Sequence, residues 1–237
     1  HLNNTPRQLN MLLALGHEPP VYAHVPMILG PDGAKLSKRH GAVSVLQYQE
    51  EGYLPDALLN YLVRLGWSHG DQEIFSRDEM VKLFDIKDVN KAASAFNPDK
   101  LLWLSQQHMM RAEPAAIVPH LRWQLAHLGI EAADDGVLEA IIIAQRERAK
   151  TLKEMAENSR FFFGEGVTLD DKAAQKHLTA ESRQALQQLA SRLRMLPEWT
   201  AASIHELVQA VAAALTLSLG KQAQPLRVAV TGGTVSP

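Results

Sequence analysis

The chain contains no cysteine among its 237 residues. Disulfides and thiolate metal sites are therefore excluded within it, and a reducing compartment suits it. It also lacks an excess of either charge: 24 Lys and Arg stand against 26 Asp and Glu, a formal net charge of −2. A uniformly basic surface is excluded, so any contact with nucleic acid must come from local clusters. No apolar run is long enough to span a bilayer, and the longest, "AIIIA" at 140–144, suits a buried helix at most. No basic segment followed by an apolar one marks a secretory signal. The histidines scatter without metal-ligand spacing, and His69 and Asp71 in "WSHGD" read as a capped turn, not a zinc site. No metal site is expected.

What remains is ordinary globular composition, with 46% apolar and 21% charged residues and length enough for two or more domains. The sequence opens on "HLNNTPRQLN" and stops after "VTGGTVSP" without a cap or tail. Both ends read as mid-protein sequence, and the expectation is a piece of a longer chain.

Local signals predict mostly helices. Asn3, Asn4 or Thr5 can cap one that Pro6 starts, with an apolar stripe of Leu9, Leu12, Leu13 and Leu15, ended by Gly16. "PPVYAHVPMILG" reads as a short extended stretch. Pro55 starts and Gly66 follows a helix whose expected buried stripe is Leu58, Leu59, Leu62, Val63 and Leu65. Ser76 and Glu79 match a capping box, and Asn97 caps another helix. Beyond Ala112 nearly everything is helical. Pro119 casts doubt on the start of one helix, Thr151 and Glu154 split a long one in two, and Gly220 ends another. "PLRVAVTGG" fits a strand by its β-branched residues and a helix start by Pro225. The fold class expected is mainly α: a truncated α/β remnant over 1–42, a small helical domain over 43–111 and a larger one over 112–237.

"GPDGAKLSKRHGA" at 30–42 concentrates cations, Lys35, Lys38, Arg39 and His40, on a segment that its glycines keep from being a stable helix or strand. Two lysines three apart, with Ser37 between, can face one polyanion. The spacing does not match the phosphate-cradling loop in which four residues separate a glycine from Gly-Lys-Ser/Thr. Taken alone, the pattern favours an exposed charged turn over an anion-closing loop.

"KLSKR" resembles the second signature motif of the class I aminoacyl-tRNA synthetases. "HLNNTPRQ", "VYAHVPMILGPDGAKLSKRHGA", "GYLPDALLNYLVRLGWSHGD", "FNPDKLLWLSQ" and "PLRVAVTG" are together, and in that order, similar to bacterial glutamyl-tRNA synthetases. The resemblance covers essentially the whole chain. It implies the last helix, strand and signature loop of a Rossmann-like catalytic domain, then a helical stem-contact domain, then a helical anticodon-binding domain cut short. The family's "HIGH"-type motif does not occur in these residues, so the chain alone is expected to be inactive. The implied activity is ligation of glutamate to tRNA(Glu) through a glutamyl-adenylate, with ATP as substrate, Mg2+ accompanying it, and a cytoplasmic setting without membrane. Lys38 matches the motif lysine that binds ATP phosphates, and Lys35 is a second candidate for the catalytic charge. Ser37 could bond a phosphate or fix the loop, and Arg39 could reach the nucleotide or a nearby carboxylate. A glutaminyl relative is disfavoured because its anticodon domains are β-barrels. A stand-alone helical RNA-binding or interaction module is the rival from another class.

For tRNA, "QRERAKTLKEMAENSR" supplies Arg146, Arg148, Lys150, Lys153 and Arg160, with glutamates interleaved. Charge alone favours a solvated helix face with i,i+4 pairs. The resemblance implies an anticodon-reading arginine, for which Arg148 is the candidate and Arg146 its neighbour. Lys82, Lys91, Lys100, Lys221 and Arg227 are candidate phosphate contacts. Trp67, Trp103, Trp123 and Trp199 are read as packing residues rather than base platforms.

Overall fold

The computed structural model describes residues 2–41, 44–164 and 167–236. Among these, the chain gathers into two compact units: one from residues up to 120 together with 149–153, the other from 121–148 and from 154 onward. The boundary expected between 42 and 43 falls on Ala42 and Val43, outside the described residues.

The first unit carries α1 (Thr5–Ala14), β1 (Ile28–Leu29), α2 (Val45–Glu50), α3 (Pro55–Arg64), α4 (Arg77–Leu83), β2 (Ser94–Ala95), α5 (Pro98–Arg111) and the start of α6 (Pro114–His127). Its caps are those that local chemistry dictates. Ser76 accepts from the Glu79 amide while Glu79 accepts from the Ser76 amide, and Asn97 accepts from the Lys100 amide. β1 and β2 pair in parallel, Ile28 with Ser94 and Leu29 with Ala95. Tyr48, Leu58, Tyr61, Phe96, Leu101 and Leu104 form a core into which Ile28 and Leu36 also pack. The Tyr61 ring stands edge-on to Phe96 at 5.1 Å, and its hydroxyl accepts from the Asn97 amide at 2.6 Å. Trp67, Phe75 and Met80 form a second cluster with Val63 and Leu83.

Three expectations fail in this unit. Of the stripe expected to be buried on α3, Leu58 is buried but Leu59 and Leu62 are exposed. The apolar stripe of α1 is not a core face: no residue of the helix is buried, and Leu13 and Leu15 lie open. The predicted extended stretch shrinks to the two residues of β1. Pro19, Pro20 and Pro26 have no N–H to offer a ladder.

The second unit holds the rest of α6, then α7 (Asp135–Gln145), α8 (Leu152–Asn158), α9 (Asp171–His177), α10 (Ala180–Leu193), α11 (Ala201–Ala214) and α12 (Leu219–Thr231). No strand occurs among its described residues. Leu189, Val208 and Val211 centre a cluster completed by Leu193, Ile204, Leu207, Leu215 and Leu226. The break between α7 and α8 falls just before Leu152, where the Thr151–Glu154 spacing puts it.

Three local readings are corrected here. α6 runs unbroken through Pro119, giving up one backbone bond. Gly220 does not end α11; that helix stops at Ala214, and Ser218 caps α12 by accepting from the Lys221 amide. The ambiguous "PLRVAVTGG" is the helical body and C-terminus of α12, closed by Gly232 at φ +84°. A Cβ there would lie 2.2 Å from the Thr168 carbonyl oxygen, so only glycine fits. Trp67 is buried as a packing residue, but Trp199 is 67% exposed, contrary to the packing role read for it.

Candidate functional site

Residues 30–41 form a compact structure, not an open turn. After β1, the Gly30 amide donates to Ala34 O at 2.7 Å, the Gly33 amide to Gly30 O at 3.0 Å and the Leu36 amide to Ile28 O at 2.9 Å. Lys35 bridges Leu29 in antiparallel fashion. The loop is thus a miniature hairpin, pinned to the core by the Leu36 side chain. A 3-10 turn over Lys38–His40 follows, with Ser37 in extended backbone as its cap.

Asp32 and His40 knit the hairpin to the turn. Asp32 Oδ1 accepts from the Ala34 amide at 3.0 Å and lies 3.0 Å from His40 Nε2. Its Oδ2 accepts from Arg39 Nη2 at 2.8 Å. His40 Nδ1 accepts from the Ser37 amide at 3.1 Å, and its Nε2, which faces Asp32, also lies 3.3 Å from Arg39 Nε. The Ala34 amide foremost, and then His40, holds the Asp32 carboxyl below the usual carboxylate value. The His40 side chain is only 8% exposed. It owes that burial to Gly30: a Cβ at position 30 would come within 2.7–2.8 Å of the imidazole.

The cations of the loop therefore divide. Arg39 is tied to Asp32, the nearby carboxylate its sequence position allowed for, and His40 is enclosed. Lys35 and Lys38 are exposed and have no carboxylate within ion-pair distance among the described residues. Ser37 is half-buried, and its hydroxyl lies 3.3 Å from His40 Nδ1. It belongs to the loop's own bonding.

In the second unit, Arg148 and Arg227 converge on one residue. Arg148 Nη1 donates to the Ser236 carbonyl at 3.0 Å, and Arg227 Nε donates to the Ser236 hydroxyl at 2.9 Å. Arg146 is the half-buried C-cap of α7, and Lys221 stands exposed in the first turn of α12. Lys100, in the first unit, lies 3.0 Å from Glu73 and 4.2 Å from the centre of the Trp103 ring. Burial would raise the Glu73 carboxyl, but the hydrogen bonds from Lys100 and Arg64 outweigh it and hold the group below its usual value. Lys100 is thus already engaged within its own unit. No group of three or more His, Asp or Glu among the described residues is arranged to hold a metal. None of the helices searched is long and apolar enough to cross a membrane.

Sequence reasoning singled out the lysines but missed Asp32, Gly30 and Ser236. A faint signal for the first exists in "PDG", a turn in which an Asp side chain accepts a backbone amide two residues on. Nothing in the sequence couples Ser236 to Arg148, 88 residues away.

Comparison with known proteins accounts for both regions. Residues 1–103 match the model for the class I tRNA synthetase catalytic domain of the E and Q enzymes, and residues 109–237 match the anticodon binding domain model. Over all 237 residues the chain is 61% identical to glutamate–tRNA ligase 1 of Alkalilimnicola ehrlichii and 58% identical to glutamate–tRNA ligase 1 of Nitrosococcus oceani. It spans 50% of the length of each. A solved glutamate tRNA ligase from Elizabethkingia meningosepticum, crystallised with its amino acid, is similar with a TM-score of 0.77 at 32% identity, covering 100% of this chain and 50% of that one. Catalytic-domain residues followed by an anticodon-binding domain, with such identity along the full sequence, place the chain in the glutamate–tRNA ligase family of class I synthetases.

Proposed function

We propose that the chain is the C-terminal part of a glutamate–tRNA ligase that activates glutamate with ATP and passes it to the 3′ end of tRNA(Glu) in the cytoplasm. The observation that carries this reading is the pair of exposed lysines, with no carboxylate at ion-pair distance among the described residues, on a braced loop within the catalytic-domain match. When glutamate attacks the α-phosphate, negative charge grows on the phosphoryl oxygens and on the departing pyrophosphate. Catalysis of such a step is positioning and electrostatic stabilisation. Lys38 is the first candidate to meet that charge and Lys35 the second. Arg39, already paired with Asp32, and Ser37, bonded within the loop, rank behind them as nucleotide contacts.

Mg2+ would arrive with the nucleotide. The described residues of this chain, which spans half the length of its relatives, offer no acidic cluster to hold it, and the roles given to the lysines do not depend on it.

On the RNA side, residues 43–111 would serve as the stem-contact region and 112–237 as the anticodon-binding region. Arg148 is the candidate reader, and Arg227, which meets it at Ser236, is a candidate phosphate contact. A guanidinium can make a bidentate bond to a base edge or stack on it. Arg146 and Lys221 are supporting phosphate contacts, and Lys100 is the weakest of the set because it is already paired.

The test is ATP–pyrophosphate exchange with tRNA(Glu) present. The full-length enzyme is expected to exchange with glutamate, and the 237-residue chain alone is expected not to. Exchange that ignores glutamate in the full-length enzyme, or robust exchange by the chain alone, overturns the reading.

A further inference from the structure

The loop contains more organisation than a mobile pair of lysines requires. It buries an imidazole between charged neighbours, requires glycine at 30 to admit it, and uses both ring nitrogens. Nδ1 accepts from the Ser37 amide, the cap of the turn that starts with Lys38. Nε2 faces Asp32 Oδ1, which also accepts from the Ala34 amide beside Lys35. One imidazole and one carboxylate therefore join the two backbone segments that carry the free lysines. The other carboxylate oxygen takes Arg39.

We propose that His40 and Asp32 are positioning residues for ATP. Their contact fixes the backbone under Lys38 and Lys35 so that both ammoniums meet the triphosphate, while Asp32 keeps Arg39 aside. This rests on the reading that the loop meets ATP. The physical need is clear: Gly33 and Gly41 lie at φ +76° and +106°, conformations open to glycine, and a loop so flanked would otherwise wander. A misplacement of about 1 Å in a group that stabilises charge is costly in rate. An exposed turn with no such task would gain nothing from a buried ring.

The test uses the full-length enzyme in glutamate-dependent exchange with tRNA(Glu), reading KM for ATP and for glutamate separately. His40→Ala removes every contact of the ring and is expected to raise KM for ATP about tenfold. KM for glutamate should stay within about twofold of the parent. His40→Asn leaves an acceptor near the place of Nδ1 and should restore part of the loss. Asp32→Asn keeps Oδ1 for the Ala34 amide and His40 but ends the ion pair with Arg39. Its KM for ATP should rise, but by less than in His40→Ala, because only the exposed ion pair is lost; a rise as large as that of His40→Ala would make the ion pair and not the ring contact the brace, and would overturn the proposal. A His40→Ala enzyme with KM for ATP within about twofold of the parent overturns the proposal, as does an equal rise in both KM values. If His40→Ala does not fold, His40→Asn decides by the same two criteria, an intermediate rise confined to ATP supporting the brace. A parent enzyme with no exchange defeats the underlying reading, and the inference falls with it; that outcome is distinct from an active parent whose variants are indifferent.

Discussion

The loop of residues 30–41 and the arginine pair of the second unit organise their cations over different reaches of chain. In the loop the partners are close in sequence: Arg39 lies seven residues from Asp32 and Ser37 three from His40. At the pair, Arg227 lies nine residues from Ser236, but Arg148 lies 88 away. The first arrangement needs only a hairpin and the core contact of Leu36. The second exists only when α12 and the segment after it are docked. The two sites should therefore fail independently, and the substitutions that follow separate them.

The largest effect expected is at Gly232. Valine there would have to adopt φ +84° with its Cβ 2.2 Å from a backbone carbonyl oxygen. Gly232→Val in the full-length enzyme should cost about 2–3 kcal/mol of stability, read from the melting transition of the anticodon-binding region. It should weaken tRNA(Glu) binding and leave KM for ATP unchanged. A matched loss of both would mean that the two sites are not separable. Next is Arg148→Lys, which keeps the charge but not the planar fork. Affinity for tRNA(Glu) should fall about tenfold, with discrimination against an anticodon-swapped tRNA reduced, while the salt dependence of binding keeps its slope. A shallower slope with discrimination intact would make Arg148 a phosphate contact instead.

The smallest effect belongs to Glu73. Its carboxyl is held below the usual value of 4.5 by Lys100 and Arg64 against the opposing effect of burial. A carboxyl lowered on folding contributes stability above its unfolded pKa and loses it as pH falls through the folded one. The first unit should therefore become less stable as pH drops below about 4.5, and Glu73→Gln should flatten that decline. Because both partners of the Lys100 pair are more than a third exposed, the effect should be modest and weaken with salt. An unchanged acid profile in Glu73→Gln would remove the pair from the account.

The same contrast in reach governs what the sequence could reveal. The Ser76–Glu79 box, the Asn97 cap and the Pro55 start were legible because each is decided within four residues. The stripe of Leu13 and Leu15 was legible as a pattern, but a pattern identifies an apolar face and not what covers it; in α1 that face is open. Gly220 misled because the Ser218 cap of α12 lies at the end of an apolar run that looked like continuing helix. In the candidate site, the lysines were found from their spacing and from resemblance. The brace that sorts them was not, because a bond between Asp32 and His40 depends on a reversal of the chain that residue types alone do not specify. Ser236 lay beyond reach for the same reason on a larger scale.

Lys38, without an ion-pair partner among the described residues, should meet the nucleotide ahead of Arg39, which Asp32 holds. The most direct measurement sets Lys38→Ala beside Arg39→Ala in the full-length enzyme, in exchange and in tRNA(Glu) binding. The account predicts that Lys38→Ala slows exchange about a hundredfold or more, that Arg39→Ala changes it by no more than about threefold, and that both bind tRNA as the parent does. Parent-like exchange in Lys38→Ala, or the larger loss in Arg39→Ala, would contradict it.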